Sequence, residues 1–222
     1  MVDIRIVIEG GIVPHINDSA ATINNSEKLR ESFHKLFSQI INPESFNLII
    51  EMKGGFEQAI MSFKEYSKLD QKTSILIDLD GVSSSKQDKI VDLKIENLAE
   101  RVFFMIQEME AWILSQPESI EKAYKNRYNR QRVKINLEQE IRKLYRDHPE
   151  EILEPSVKLK VLLGRYYVEM KGNRKKDKKY GKLKDAPMLI ENLDINKLIR
   201  TFDDVNSLIN HIQRYSTEPN TG

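Results

Sequence analysis

The sequence predicts an α/β protein built on a mostly parallel sheet of about four strands flanked by helices. Three observations carry that prediction. Short apolar, β-branched runs recur through the first half, amphipathic helical patterns separate them, and each run stops beside an acid or a glycine pair. Strands that alternate with helices pair in parallel through crossovers, which leaves the helices on the sheet faces.

The elements follow in order. Ile4 to Ile8 is nearly continuous and β-branched, as a strand covered on both faces should be. Gly10 to Asn25 is polar, contains Pro14, and reads as a loop that is long for a connection after a strand. From Ser26 onward, Leu29, Phe33, Leu36, Phe37 and Ile40 recur at helical spacing, and Pro43 ends the pattern. Phe46 to Met52 is the second strand, closed by Gly54-Gly55. Phe56, Ile60, Phe63 and Tyr66 then mark a second helix, and Ser74 to Leu79 is the third strand. Val102 to Ile106 is apolar enough for a fourth strand, although Leu98 to Leu114 also fits one long helix with Trp112 in its core.

Residues 1–115 are therefore the expected core. Residues 116–215 read as a helical and basic C-terminal lobe that completes it. Tyr124, Tyr128, Leu137, Ile141, Leu144 and Ile152 fall at helical spacings in its charged first part, and a last helix runs around Val205 to Ile212. Residues 216–222 read as a frayed tail.

Composition narrows the function classes. A hydrophobic content of 40% supports a core, and 31% charged residues fit a soluble protein, so that no disordered or membrane class is implied. The absence of cysteine excludes disulfides, thiolate zinc sites and a cysteine nucleophile. The N-terminus enters a strand-like run without a signal-type segment, so the chain reads as cytoplasmic. The net charge of +1 hides a basic run holding Lys171, Arg174, Lys175, Lys176, Lys178, Lys179, Lys182 and Lys184. Such density attracts phosphate backbones, and otherwise it is a solvated loop.

The acids matter most. Glu9 ends the first strand, Asp78 and Asp80 end the third, and glycine follows each group at Gly10 and Gly81. Ligands of open α/β sheets bind at the carboxyl ends of the strands, so three carboxylates are expected at one rim. Asp78 and Asp80 are two residues apart, which in an extended backbone points both to one face. Like charges gathered there need a positive partner, and a hard divalent cation such as Mg2+ suits oxygen ligands. The bland reading of each piece is a strand-end turn.

Val-Ile-Glu-Gly around Glu9, followed two units later by Leu-Ile-Asp-Leu-Asp-Gly around Asp78 and Asp80, resembles the TOPRIM domain. Gly54-Gly55-Phe56, Glu108-Met-Glu110-Ala-Trp112, Pro117-Glu118 and Lys182-Leu-Lys184-Asp185-Ala-Pro are similar to a bacterial TOPRIM-like family of unknown function. That family is often encoded beside an ABC- or AAA-type ATPase in phage-defence loci. The resemblance covers most of the chain through short motifs. It implies a metal-dependent nuclease in which Glu9, Asp78, Asp80 and Glu110 hold one or two Mg2+ or Mn2+ ions, Glu9 being either ligand or general acid/base. Lys182 or Lys184 would face the phosphate charge, and Lys175, Lys176, Lys178 and Lys179 would join them in binding DNA or RNA. Glu108 is a weaker candidate than Glu110, because opposite faces of a helix would let only one reach the metal. An ATPase partner and a homodimer are further implications.

One departure and two rivals accompany this reading. The loop between Gly11 and Asn25 is long, and its His15 is a conceivable proton shuttle. Ile-Asp-Leu-Asp-Gly-Val also looks like the opening motif of haloacid-dehalogenase-type phosphatases, with Asp78 as nucleophile and Asp203-Asp204 as a late acidic motif. That motif normally opens its fold, whereas two β-α units precede it here, and Glu9 is left without a role. A non-catalytic sensor or adaptor that docks an ATPase through its helical lobe is the second rival.

Overall fold

Four parallel strands form the central sheet of the computed structural model, which describes residues 1–11, 20–125, 128–130 and 136–217. Strands β1 (Val2–Glu9), β2 (Phe46–Lys53), β3 (Thr73–Asp78) and β4 (Val102–Met105) stand in the order β2-β1-β3-β4. Every neighbouring pair is parallel, so the α/β expectation holds. The fourth apolar run is a strand because Gln107 adopts a left-handed φ of 61°, which no continuous helix accommodates. Only the short α4 (Glu110–Leu114) follows it.

Alternation along the strands divides the packing between two faces. Ile4, Ile6 and Ile8 join a large apolar cluster with Leu29, Phe33 and Phe37 of α1 (Ala20–Phe37) and Leu208 and Ile212 of α10 (Asp203–Thr217). Val7, Ile75, Ile77 and Phe104 pack on the other face against Ala59, Ile60 and Phe63 of α2 (Phe56–Leu69) and Ile90 of α3 (Lys86–Asp92). Phe33 and Phe63 are fully buried, and truncating either to Ala should cost about 3–5 kcal/mol.

The C-terminal region shares this core. The larger cluster also takes in Trp112, Tyr124 of α5 (Pro117–Tyr124), Ile141 of α6 (Leu137–Arg142), Leu163 of α7 (Pro155–Tyr166), Ile190 of α8 (Lys182–Glu191) and Leu198 of α9 (Ile195–Thr201). The lobe is not purely helical, as its sequence suggested. Strands β5 (Asn129–Arg130), β6 (Tyr167–Lys171) and β7 (Arg174–Asp177) form a small antiparallel sheet. Strand β7 is Arg-Lys-Lys-Asp and exposed throughout, so no apolar alternation announces it. The frayed tail was expected from Ser216, yet α10 continues to Thr217; residues 218–222 lie outside the described residues. Among the described residues no helix is long and apolar enough to cross a membrane.

Candidate functional site

The sheet brings the acids of β1 and β3 to one rim. Ile8 is level with Leu76 in the register, so Glu9 and Asp78 lie one and two residues beyond that level on adjacent strands. The chain leaves β1 through Gly10 and Gly11 at φ 123° and 74°, and a Cβ at Gly11 would collide with Ser26 Oγ. Glycine is needed there for both reasons.

Each carboxylate has a distinct setting. Asp78 is buried, its Oδ1 accepts from the Met109 N–H at 2.9 Å, and its Oδ2 accepts from Lys182 Nζ at 2.9 Å. Burial raises the Asp78 pKa, while Lys182 and the Met109 N–H oppose that rise. Glu110, at the start of α4, is fully buried and accepts from the Tyr180 hydroxyl at 2.7 Å through Oε1. Its Oε2 has no hydrogen-bond partner among the described residues and lies 4.0 Å from Lys182 Nζ. Burial pushes the Glu110 carboxyl up, with Lys182 and Tyr180 acting against it.

Glu9 carries the clearest shift. Burial, then the charges of Asp78 and Asp80, push its carboxyl from 4.5 to about 7. Among the described residues its buried Oε2 has no hydrogen-bond partner. The three acids therefore sense one another as the sequence anticipated, but Asp80 does so from a turn. Strand β3 stops at Asp78, Leu79 turns into the core, and Asp80 is exposed at φ 54°. The expectation that Asp78 and Asp80 share an extended strand face is thus corrected. Asp80 N–H donates to the Gln107 carbonyl at 2.9 Å and Gln107 N–H to the Gly81 carbonyl at 3.1 Å. Two left-handed residues consequently face each other beside Asp78, a concentration of backbone strain typical of functional positions.

Lys182 supplies the countercharge. Burial alone would lower its pKa, but Asp78 and then Glu110 overcome that effect and raise it. Its side chain remains 41% exposed, so the stem lies at the surface while the ammonium turns inward to Asp78. Lys184, also expected at the site, is elsewhere: it is 60% exposed and pairs with Glu169 at 3.3 Å. Two residues apart on α8 is about 200° of rotation, which sends the two lysines to different faces.

The remaining candidates separate by burial. Lys175, Lys176 and Lys179 are exposed on or just after β7. Lys178 is not available to a ligand, being fully buried and paired with Asp185 at 2.7 Å. Glu108 is occupied structurally: its carboxylate accepts from the Ser156 N–H at 2.7 Å and the Ser156 hydroxyl at 3.1 Å, capping the start of α7. Asp204, in the late acidic motif, instead binds Lys86 and the Phe104 N–H, fastening α10 to β4. His15 lies outside the described residues. Tyr180 was not anticipated; an aromatic residue inside a basic run was its one sequence signal.

Among the described residues no three His, Cys, Asp or Glu side chains make a ready metal cage. The donor chemistry nevertheless suits a hard cation. All four acids offer oxygen, and the two buried oxygens without hydrogen-bond partners, Glu9 Oε2 and Glu110 Oε2, can accept further positive charge. A separate cleft of about 610 Å³, lined by Arg142, Tyr145, His148 and Arg200, opens near Ser115 at the far end of α4 and contains none of these acids.

A family model described as Domain of unknown function (DUF4276) matches residues 26–213, a span that includes Asp78, Asp80, Glu110 and Lys182 but not Glu9. No curated protein and no solved structure matches the chain.

Proposed function

The chain belongs to the DUF4276 family, and we propose that it is a TOPRIM-like, metal-dependent phosphodiesterase acting on nucleic acid. The observation that carries the proposal is the convergence of Glu9, Asp78 and Glu110 on one lysine at the strand ends, with the charge of Asp80 beside Glu9 and Asp78. A structural ion pair needs one acid, whereas three acids around a single ammonium, with Asp80 next to two of them, leave an excess of negative charge for a ligand cation. Glu9, Asp78, Asp80 and Glu110 would hold one or two Mg2+ or Mn2+ ions. Such an ion polarises a phosphoryl group and lowers the pKa of bound water.

The protein's own groups complete the chemistry. Lys182 can turn its ammonium from Asp78 to the charge that develops on a phosphate oxygen in the transition state. Glu9, with a pKa near 7, can accept or release a proton at neutral pH. Tyr180 fixes the orientation of Glu110. Lys175, Lys176 and Lys179 offer exposed charge to a DNA or RNA backbone. An ABC- or AAA-type ATPase as partner, in a defence setting, follows from the TOPRIM-like resemblance.

The test is incubation with plasmid, single-stranded DNA and cellular RNA, in Mg2+, Mn2+ or EDTA. Cleavage by the wild type that stops in EDTA and in Asp78→Asn supports the proposal. A phosphatase would instead turn over a small aryl phosphate, and cleavage of none of the nucleic acids would sink the nuclease reading.

A further inference from the structure

We propose that Lys178 and Asp185 are positioning residues, which hold Tyr180 on Glu110 and Lys182 on Asp78. The proposal rests on the carboxylate site described above and gives the basic run two separate jobs. Lys175, Lys176 and Lys179 face solvent, whereas Lys178 between them is fully buried.

The hydrogen bonds describe a closed brace. Lys178 Nζ donates to Asp185 Oδ1 at 2.7 Å and to the Lys179 carbonyl at 2.9 Å, and it lies 5.0 Å from the centre of the Tyr128 ring. Asp185 Oδ2 accepts from the Gly181 N–H at 2.8 Å, and the Asp185 N–H returns a bond of 2.8 Å to the Gly181 carbonyl. Gly181 is therefore fastened in both directions where α8 begins. At the other end, the Lys178 N–H donates to the Tyr167 carbonyl of β6 at 2.9 Å. The two residues enclosed with Gly181 that reach the site, Tyr180 and Lys182, flank that fastened glycine.

Burying an ion pair is a poor way to gain stability, since desolvation offsets most of the attraction. A positional role explains why a lysine and an aspartate stand there at 0% and 2% side-chain exposure. The Lys182 side chain is 41% exposed, so without the brace its ammonium would be free to leave Asp78. The brace also ties the site to β6, and thereby to the exposed basic strand β7 paired with it.

The experiment compares wild type with Lys178→Met/Asp185→Leu, an apolar exchange that removes both charges and the acceptor of the Gly181 N–H. Acetylation by N-hydroxysuccinimide acetate is followed by peptide mass spectrometry, with thermal unfolding as a check of folding. In the wild type Lys182 should react at least about fivefold more slowly than Lys175 or Lys176, because an ammonium held on a carboxylate is a poor nucleophile. In the folded double variant its rate should rise at least threefold, while Lys175 and Lys176 stay unchanged. Where the wild type cleaves plasmid, kcat should fall at least tenfold with KM kept within threefold. An unchanged Lys182 rate in folded protein overturns the positioning role. If the double variant does not fold, Asp185→Asn is measured instead, with at least a twofold rise expected and no rise overturning the proposal. Acetylation needs no substrate, so a wild type that cleaves nothing would overturn the nuclease reading alone.

Discussion

Tyr180 donates its hydroxyl hydrogen to Glu110 Oε1 at 2.7 Å, joining the loop before α8 to the first residue of α4 across 70 positions of sequence. Both ends are withdrawn from water, and burial followed by the Glu110 charge drives the tyrosine pKa well above its usual value. The phenol therefore stays protonated and keeps its hydrogen for Glu110.

Removing that donor should be felt as lost stability. Tyr180→Phe leaves a buried carboxylate with neither oxygen hydrogen-bonded, a loss of about 1–3 kcal/mol. The Glu110 pKa is already raised, so protonation at acid pH relieves the unpaired charge and the deficit should shrink as pH falls. Urea denaturation at several pH values measures it. A deficit that is the same at acid and neutral pH would show that the hydrogen bond does not serve the ionised carboxylate.

Asp78→Asn separates chemistry from folding better than truncation does. The amide oxygen can still accept from the Met109 N–H, which Ala would leave unpaired inside the protein. The amide cannot neutralise Lys182 or ligate a cation as a carboxylate does. Cleavage should drop at least about a hundredfold, roughly 3 kcal/mol of transition-state stabilisation, with a cooperative thermal transition retained. Residual activity near the wild-type level would remove Asp78 from the mechanism.

Glu9 makes stability depend on pH in a defined direction. Its folded pKa of about 7 exceeds the usual 4.5, so between these values the folded form keeps a proton that the unfolded form has lost. That contribution is fully present below pH 4.5 and is lost as pH rises to about 7. Partial exposure of the side chain limits it to on the order of 2 kcal/mol. Thermal unfolding in EDTA should therefore show a lower Tm at pH 8 than at pH 5, and Glu9→Gln should flatten the change. Millimolar Mg2+ should raise the Tm most at pH 8, where the carboxylate is free of its proton. An equal Mg2+ effect at both pH values would argue against Glu9 as a ligand.

The succession of strands and helices in the core was legible because each parallel strand is an apolar run bounded by glycine, proline or acid, as at Ile4 to Ile8 and Phe46 to Met52. Glu9 and Asp78 were legible for the same reason, since strand ends define the rim. Lys182 could be separated from Lys184 only by knowing where α8 starts, and Gly181 gives a weak signal for that. Lys178 was misread because side-chain burial inside a charged run depends on a distant partner face, here Tyr128 and Asp185. Strand β7 was invisible because an exposed edge strand needs no apolar residue.

Glu108 and Glu110 offer an internal control two residues apart. Glu108 caps α7 through Ser156, so Glu108→Gln should cost about 1 kcal/mol and leave cleavage within threefold of wild type. Glu110→Gln removes a carboxylate that faces Lys182 and should cut cleavage at least tenfold. Urea denaturation and plasmid cleavage of both variants decide the matter. If Glu108→Gln proved the more damaging to catalysis, the assignment of Glu110 to the site would fall.

Strand β7 yields the last prediction. Lys175 and Lys176 are exposed, and each lysine that meets a phosphate releases a counterion when nucleic acid binds. Each released counterion steepens the fall of log K with log salt by about 0.7 for single strands and about 0.9 for duplex DNA. Lys175→Ala/Lys176→Ala should therefore flatten the slope by about 1.4 on single-stranded DNA. The carboxylate site is untouched, so kcat at saturating substrate should remain within twofold. Fluorescence anisotropy of a labelled oligonucleotide from 50 to 200 mM salt, a range over which a few contacts change affinity by orders of magnitude, measures the slope. An unchanged slope would mean that β7 does not carry the backbone, and its lysines would then serve as a solvated strand edge that keeps other chains from pairing with it.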